Sequence, residues 1–439
     1  MANIVRLSRI SKRLELHWRN LAIAPLILCL IGLLGCQPTP SSNAGAIHLT
    51  LWHGINPPPN RDVFQELVDR FNQSHPTIQV ESLYVGQGDQ QMPKILAAVV
   101  GNAPPNMLWF APMITGQLVE LEAIRPIDDW FDASPAKEQL DPALISSMEL
   151  EGHLWSIPFS TNNVGIFYRP SLFEAAGITE PPQTWEDLRQ VAHTLTRSVN
   201  GSQQHGILLP LGKGEWTVFT WLPFMWSGGG DLAVDSVDQV NLVNEGAIAA
   251  LQLWQDLLND GSAMLSPPER GYEIDDFLTG RVAMQLTGPW TLGQLQATGV
   301  DYDVMPIPVG SEPATSIGGE NLFIFNATPE AERAAFTFAE YVMSEAFQTQ
   351  WALGTGYLPV NVRSRQSVAY KDFVAQEPTL NTFIEQAKYG HSRPIVPGYS
   401  RISENLGRAI EATLLGSNPT EALQAAQQRL NLVFGSDPA

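Results

Sequence analysis

Acidic residues number 45 in this chain, enough for carboxylate pairs at the roughly 5–10 Å separation that glycoside hydrolysis uses. The motifs that mark other catalysts are absent. No Gly-x-Ser-x-Gly, His-Glu-x-x-His or Cys-x-x-Cys occurs, which removes the usual sequence marks of a serine hydrolase, a zinc protease and a dithiol redox site. "GQGDQQ" (86–91) has two glycines of a dinucleotide fingerprint and lacks the third, and "GKGEW" (212–216) lacks the Ser or Thr of a phosphate loop. The eight histidines are scattered, and His48 and His53, the close pair, fall on opposite faces of a strand. No metal site and no cofactor are expected.

What remains is suited to binding. A neutral sugar offers hydroxyls to planar polar groups and C–H patches to aromatic faces, so its site combines Trp or Tyr with Asn, Asp, Glu or Arg. Trp290 follows Gly288-Pro289, a turn signature that favours an accessible ring over a core one. Trp216, Trp221 and Trp226 are spread around a helix by their spacing. Trp216 stands at the head of that helix, where a site role and a core role are both open. Gln87 and Asp89 sit in a Gly-rich loop after the second strand, where open α/β sheets bind ligands; a solvated turn is the other reading.

These groups need a scaffold, and the pattern supplies one. "IHLTLWHG" alternates Ile47, Leu49 and Leu51 and stops at Gly54; Asn60 is a candidate cap for a helix carrying Val63, Phe64, Leu67, Val68 and Phe71 at helical spacing. "TIQVESLY" follows as a strand, an order that implies a parallel pair. Thr184 caps "WEDLRQVAHTL", and Thr328-Pro329 opens "EAERAAFTFAEYVM". Strands and helices mixed throughout, without a repeat period, predict an α/β protein.

At the N-terminus, five basic residues precede an uncharged apolar run from Leu21 to Gly35, the pattern of an export signal and short of the roughly 20 residues of a spanning helix. Leu33-Leu34-Gly35-Cys36 resembles the lipobox of bacterial lipoproteins, which implies lipidation of Cys36. Cleavage before Cys36 discards Cys29 and leaves no disulfide partner. It also moves the formal charge from −20 to −24, since residues 1–35 hold five cations and one anion, Glu15. So acidic a chain repels nucleic acid and disfavours an anionic ligand. Gln37 to Ala46 reads as a tether. The remaining length exceeds the ~250–300 residues of a single core, so two lobes are expected.

"LTLWHGINPPPNRDVFQELVDRFNQSHPTIQV", "GNAPPNMLWF", "SIPFSTNNVGIFYRPSLFEAAGITEPPQTWEDL", "FLTGRVAMQLTGPW", "PIPVGSEPATSIGGENLFIF" and "GYLPVN" together resemble the extracellular solute-binding proteins of carbohydrate ABC importers. The resemblance runs from about residue 47 to 435. It implies a type II periplasmic-binding-protein-like fold of two lobes, each a mixed sheet flanked by helices, with ligand in the interlobe cleft. The implied N-terminal lobe is 47–160 with 319–358, and the C-terminal lobe 161–318 with 359–439. The implied crossings lie at Pro158–Asn163, Ile317–Glu320 and Tyr357–Asn361, which brings Asn162 or Asn163, Gly319, Glu320 and Tyr357 to the ligand, while His53 belongs to the turn that ends the first strand. Trp290 matches a position where the family stacks a ring on sugar. "SRPIVPGYSRISENL" resembles the Arg-Pro-x-x-Pro-x-Tyr segment of trehalose/maltose-type binders, which makes Arg393 and Tyr399 ligand candidates; an interlobe ion pair is the alternative for Arg393.

The implied function is a non-enzymatic, monomeric importer component that hands a neutral sugar or glucoside osmolyte to permease subunits driven by a cytoplasmic ATPase, held at the membrane by a lipid on Cys36. A glycerol-3-phosphate binder is the near competitor. Its expected tyrosine after the second strand is Gly88 here, and its acid after the third falls near Ala111.

Overall fold

The computed structural model describes residues 45–199, 201–232 and 240–434. The expected leader, Cys36 and the tether as far as residue 44 lie outside the described residues.

β1 (Ile47–His53) buries Leu49 and Leu51, and α1 (Pro58–Ser74) turns Phe64, Leu67, Val68 and Phe71 onto it. Asn60 does not cap α1. The helix starts at Pro58 after Pro57, since a first-turn proline lacks an N–H that would need a partner; Asn60 Nδ2 instead donates to the Trp290 carbonyl at 3.0 Å. β2 (Ile78–Tyr84), α2 (Gly88–Val100), β3 (Met107–Phe110) and β4 (Ile157–Pro158) follow. The segment after β4 does not continue as one strand. It breaks into β5 (Asn162–Asn163) and β6 (Gly165–Tyr168), and β4, β5 and β6 belong to three different sheets.

The second lobe adds α3 (Trp185–Leu195), β7 (Ser202–Leu209), α4 (Glu215–Ser227), α5 (Glu245–Asn259), β8 (Ala263–Leu265), β9 (Val282–Thr287) and β10 (Asp303–Met305). A capping box between Thr184 and Asp187 starts α3. The chain returns through β11 (Thr315–Gly318) to β12 (Asn321–Ile324), then α6 (Pro329–Met343), capped by Thr328, and α7 (Glu345–Thr355). β13 (Gly390–Ser392), α8 (Tyr399–Leu414) and α9 (Pro419–Phe434) complete the second lobe.

Two lobes result, each a mixed sheet flanked by helices. The first sheet runs β2-β1-β3-β12-β4, with β1 parallel to β2 and β3 and with β12 antiparallel to its neighbours. The second runs β8-β7-β9-β6-β10. A small sheet, β13-β11-β5, lies where the chain crosses. The helices Val362–Gln366 and Val368–Gln376 pack on α7, beyond the boundary expected at residue 358. Asn361 explains this: its Oδ1 accepts the N–H groups of Arg363 and Ser364, and its Nδ2 donates to the Met343 carbonyl at 2.8 Å, tying the segment to the first lobe.

β7 approaches α3 closely because residue 206 is glycine; a Cβ there would stand 2.3 Å from the Ala192 carbonyl oxygen. Gly206→Ala is expected to destabilise the protein by about 1–3 kcal/mol through overpacking. The shift of its urea midpoint checks this, and an unchanged midpoint contradicts it.

Candidate functional site

The two lobes enclose a cleft of about 790 Å³. The first lobe lines it with Trp109, Gln91, Gln117 and Tyr357, the crossing segments with Asn162, Gly319 and Glu320, and the second lobe with Trp216, Tyr272, Trp290, Arg393 and Tyr399. Gln87 also lines it; the Asp89 side chain lies outside the described residues.

Gly214 precedes α4 as its N-cap, placing Glu215 and Trp216 in a first turn that faces the cleft while Trp221 and Trp226 are buried in the second lobe's core. The turn Gly288–Thr291 carries Trp290. The rings of Trp216 and Trp290 stand 6.0 Å apart at 79°, and Trp216 meets Tyr272 at 6.4 Å and 88°. Trp290 also contacts Tyr357, at 6.2 Å. Edge-to-face packing of this kind fixes ring orientation, because each ring's positive edge meets a negative face. The outcome is an aromatic corner within the cleft.

Arg393 is part of a polar knot inside the second lobe. Its Nη1 donates to Glu215 Oε1 at 2.7 Å, the Tyr399 hydroxyl donates to the same oxygen at 3.0 Å, and the Ser403 hydroxyl donates to Oε2. The guanidinium also lies 4.5 Å from the Phe219 ring centre. Arg393 therefore reaches the cleft with its charge already matched by Glu215, and the ion pair is within one lobe, not between lobes.

At the floor, Gly319 has φ +117°, and a Cβ there would stand 2.2 Å from the Ser160 carbonyl oxygen, so only glycine lets the two crossing segments lie side by side. The Glu320 carbonyl accepts from Phe159 N at 2.9 Å. Desolvation pushes the partly buried Glu320 carboxyl up to about 8, against the opposing pull of Arg393 and the Ser160 hydroxyl. Burial, reinforced by Glu320, holds the Tyr357 phenol well above its ordinary value.

Two expected site residues are elsewhere. Asn163 is fully buried behind the cleft, donating to the Phe383 carbonyl at 2.8 Å and accepting from Gln386 at 2.5 Å, because adjacent residues of an extended strand point opposite ways. Asn162 takes the cleft side. His53 is buried between Phe64 and Tyr84, with ring centres 5.2 and 5.9 Å away, and accepts from Ile55 N. Burial, then the Arg61 charge, lowers it to about 4, which leaves it a neutral packing residue.

Sequence reasoning missed Glu215, Trp109, Tyr272 and Glu269, all of which line the cleft. Glu215 stood next to a chosen tryptophan in a helix's first turn, a usable signal; Tyr272 sits in an irregular loop with none. Three buried atoms on cleft-lining residues, Asn162 Oδ1, Trp109 Nε1 and Trp216 Nε1, have no hydrogen-bond partner among the described residues. Each costs about 1–3 kcal/mol unless something supplies a partner. Among the described residues no group of three His, Cys, Asp or Glu side chains could hold a metal ion, and no helix is long and apolar enough to cross a membrane.

A family profile described as bacterial extracellular solute-binding protein matches residues 66–381. A maltotriose-binding protein of Pyrococcus abyssi is 22% identical over 382 residues, covering 86% of this chain and 79% of that protein. The sn-glycerol-3-phosphate-binding periplasmic protein UgpB of Escherichia coli K12 is 24% identical over 412 residues, covering 89% and 93%. In fold, an ABC transporter solute-binding protein of Thermotoga lettingae, solved with alpha-D-tagatose, superimposes with a TM-score of 0.79 at 23% identity, covering 89% of this chain and all of that one.

The raised Glu320 gives a pH dependence with a definite sign. Its ordinary value is 4.5, so between there and about 8 the folded protein keeps a proton that the unfolded chain has released, and folding stability falls as pH rises through that window. Glu320→Gln, which mimics the neutral acid, is expected to lack this decline. Denaturant titrations of both proteins at about pH 5 and about pH 8 test it; a stability gap that does not widen with pH shows that the folded protein holds Glu320 ionised.

Proposed function

The chain belongs to the bacterial extracellular solute-binding proteins, and on that premise we propose that it is the capture component of an ABC importer for a neutral sugar or glycosidic osmolyte, of the trehalose, sucrose, maltose or glucosylglycerol class. The family binds its solute and performs no reaction on it. The observation that carries the sugar reading is the corner of Trp216 and Trp290, rings 6.0 Å apart and near perpendicular in an interlobe cleft. Such a corner offers two aromatic faces to the C–H surfaces of a saccharide. Asn162, Gln91 and Gln117 suit its hydroxyls.

Charge argues against the phosphorylated alternative. Cationic side chains among the described cleft residues are Lys213 and Arg393, set against the carboxyls of Glu215, Glu269, Glu320 and Glu404. Arg393 is bound to Glu215, so a phosphate entering the cleft meets little uncompensated positive charge. Calorimetry against maltose, trehalose, sucrose, glucosylglycerol and sn-glycerol 3-phosphate tests the reading. Binding of a neutral sugar is expected, and binding of the phosphate ester alone overturns it. Trp290→Ala is expected to weaken sugar binding about tenfold or more, equivalent to about 1.4 kcal/mol. The bond from the Asn60 side-chain amide to the residue 290 carbonyl does not need the indole, so an unaltered affinity returns Trp290 to a structural role.

The finer proposal is that a lipid on Cys36 tethers the binding lobes beside the permease and raises their effective concentration there. Cys36→Ser is expected to move the protein from the membrane to the soluble fraction with ligand affinity unchanged. Retention in the membrane fraction contradicts the lipid anchor.

A further inference from the structure

Beside the cleft, two backbone stretches from opposite lobes meet directly. On the first lobe, the helix Thr115–Glu120 is fixed by Leu118, packed in a core cluster with Ile95, Leu108 and Phe323, and its Gly116 is buried. On the second lobe, the turn Val396–Tyr399 is closed by Tyr399 N donating to the Val396 carbonyl at 3.2 Å, and the Tyr399 hydroxyl anchors it to Glu215. A Cβ on Gly116 would stand 2.5 Å from Pro397 N and 2.8 Å from both Pro397 Cα and the Val396 carbonyl carbon. These are backbone atoms of an anchored turn, so no flexible side chain can swing aside. Proline suits the other half of the contact, since its nitrogen carries no hydrogen and loses no hydrogen bond when covered.

We infer that Gly116 against Pro397 is the stop that sets how far the lobes close, and that residue 116 therefore governs ligand affinity without touching ligand. Neither residue lines the cleft. A side chain at 116 obstructs only the state in which the lobes meet. Its cost falls on the bound, closed form, and the open form is left intact, so the apparent affinity drops by the fraction of closure lost. The inference rests on the binding-protein reading above. The backbone at Gly116 is ordinary helix, with no positive φ, so alanine strains nothing locally.

The test is Gly116→Ala, with Gly116→Val as a larger step, in the full chain. Calorimetry with maltose and trehalose is expected to show dissociation constants raised about fivefold or more for alanine and further for valine, with an unfolding temperature in the absence of sugar no lower than wild type. Hydrogen exchange in saturating sugar is expected to speed up in both variants within residues 112–121 and 392–400, and to match wild type without sugar. Unchanged affinity with unchanged exchange overturns the inference, as does a loss of affinity that tracks a lowered unfolding temperature. If wild type binds neither sugar, the sugar reading loses its support and calorimetry with sn-glycerol 3-phosphate decides the stop: weaker binding by the variants at an unchanged unfolding temperature upholds it, equal binding overturns it.

Discussion

The lobes are held together by two crossing segments lying edge to edge, and the close approach at Gly319 makes that arrangement possible. Phe159 N and Ser160 N both donate to the Glu320 carbonyl, Thr161 exchanges backbone bonds with Leu358, and Asn162 and Asn163 pair with Gly318 and Ile317. Gln348 extends the lock, donating to the Phe159 carbonyl and accepting from Val360 N. Once these segments are in register, the alternation of an extended chain decides everything on the floor of the cleft: Asn162 faces the ligand space, Asn163 the core. The floor therefore offers one amide, one carboxyl and one phenol, and a Cβ at residue 319 would stand 2.2 Å from the Ser160 carbonyl oxygen of the neighbouring segment.

A second constraint is electrostatic. A strongly acidic chain that lines its cleft with several carboxyls has to keep them from repelling one another, and it does so by different means. Glu215 is saturated by Arg393, Tyr399 and Ser403; Glu320 holds its proton to about 8 because desolvation disfavours the anion. Both devices leave hydrogen-bonding groups in place while removing net charge. The knot around Glu215 also has a mechanical effect, because it joins the head of α4, which carries Trp216, to the head of α8 and the turn before it.

How much of this was legible in the sequence follows from what each feature depends on. Periodicity and capping are local, so α1, α3 and α6 and the caps Thr184 and Thr328 could be read directly. The paired lobes and the order of their elements were accessible through the resemblance of several blocks in sequence. The roles of Asn60, His53 and Glu215 depend on partners 230, 11 and 178 or more positions away, the Trp290 carbonyl, Phe64 and Arg393, so local pattern can place Glu215 at the head of its helix but names none of these partners. The run from Ile157 to Tyr168 is long for a single strand. That three sheets divide it is a property of the crossing. The first lobe's reach past residue 358 is likewise set by Asn361 bonding back to Met343.

The cleft's composition ties affinity to closure. Its aromatic corner and its Arg393–Glu215 knot belong to the second lobe, whereas Gln91, Gln117 and Trp109 belong to the first. A sugar stacked on Trp216 in an open protein would satisfy its C–H faces and leave its far hydroxyls in water. Contact with the first lobe's amides arises only when the lobes meet. A ligand can shift a conformational equilibrium only by its difference in affinity for the two states. Splitting apolar and polar recognition between lobes places that difference in the hydrogen bonds made on closing. Solutes that stack but cannot reach across gain the aromatic contribution alone, so they occupy the site without stabilising the closed form.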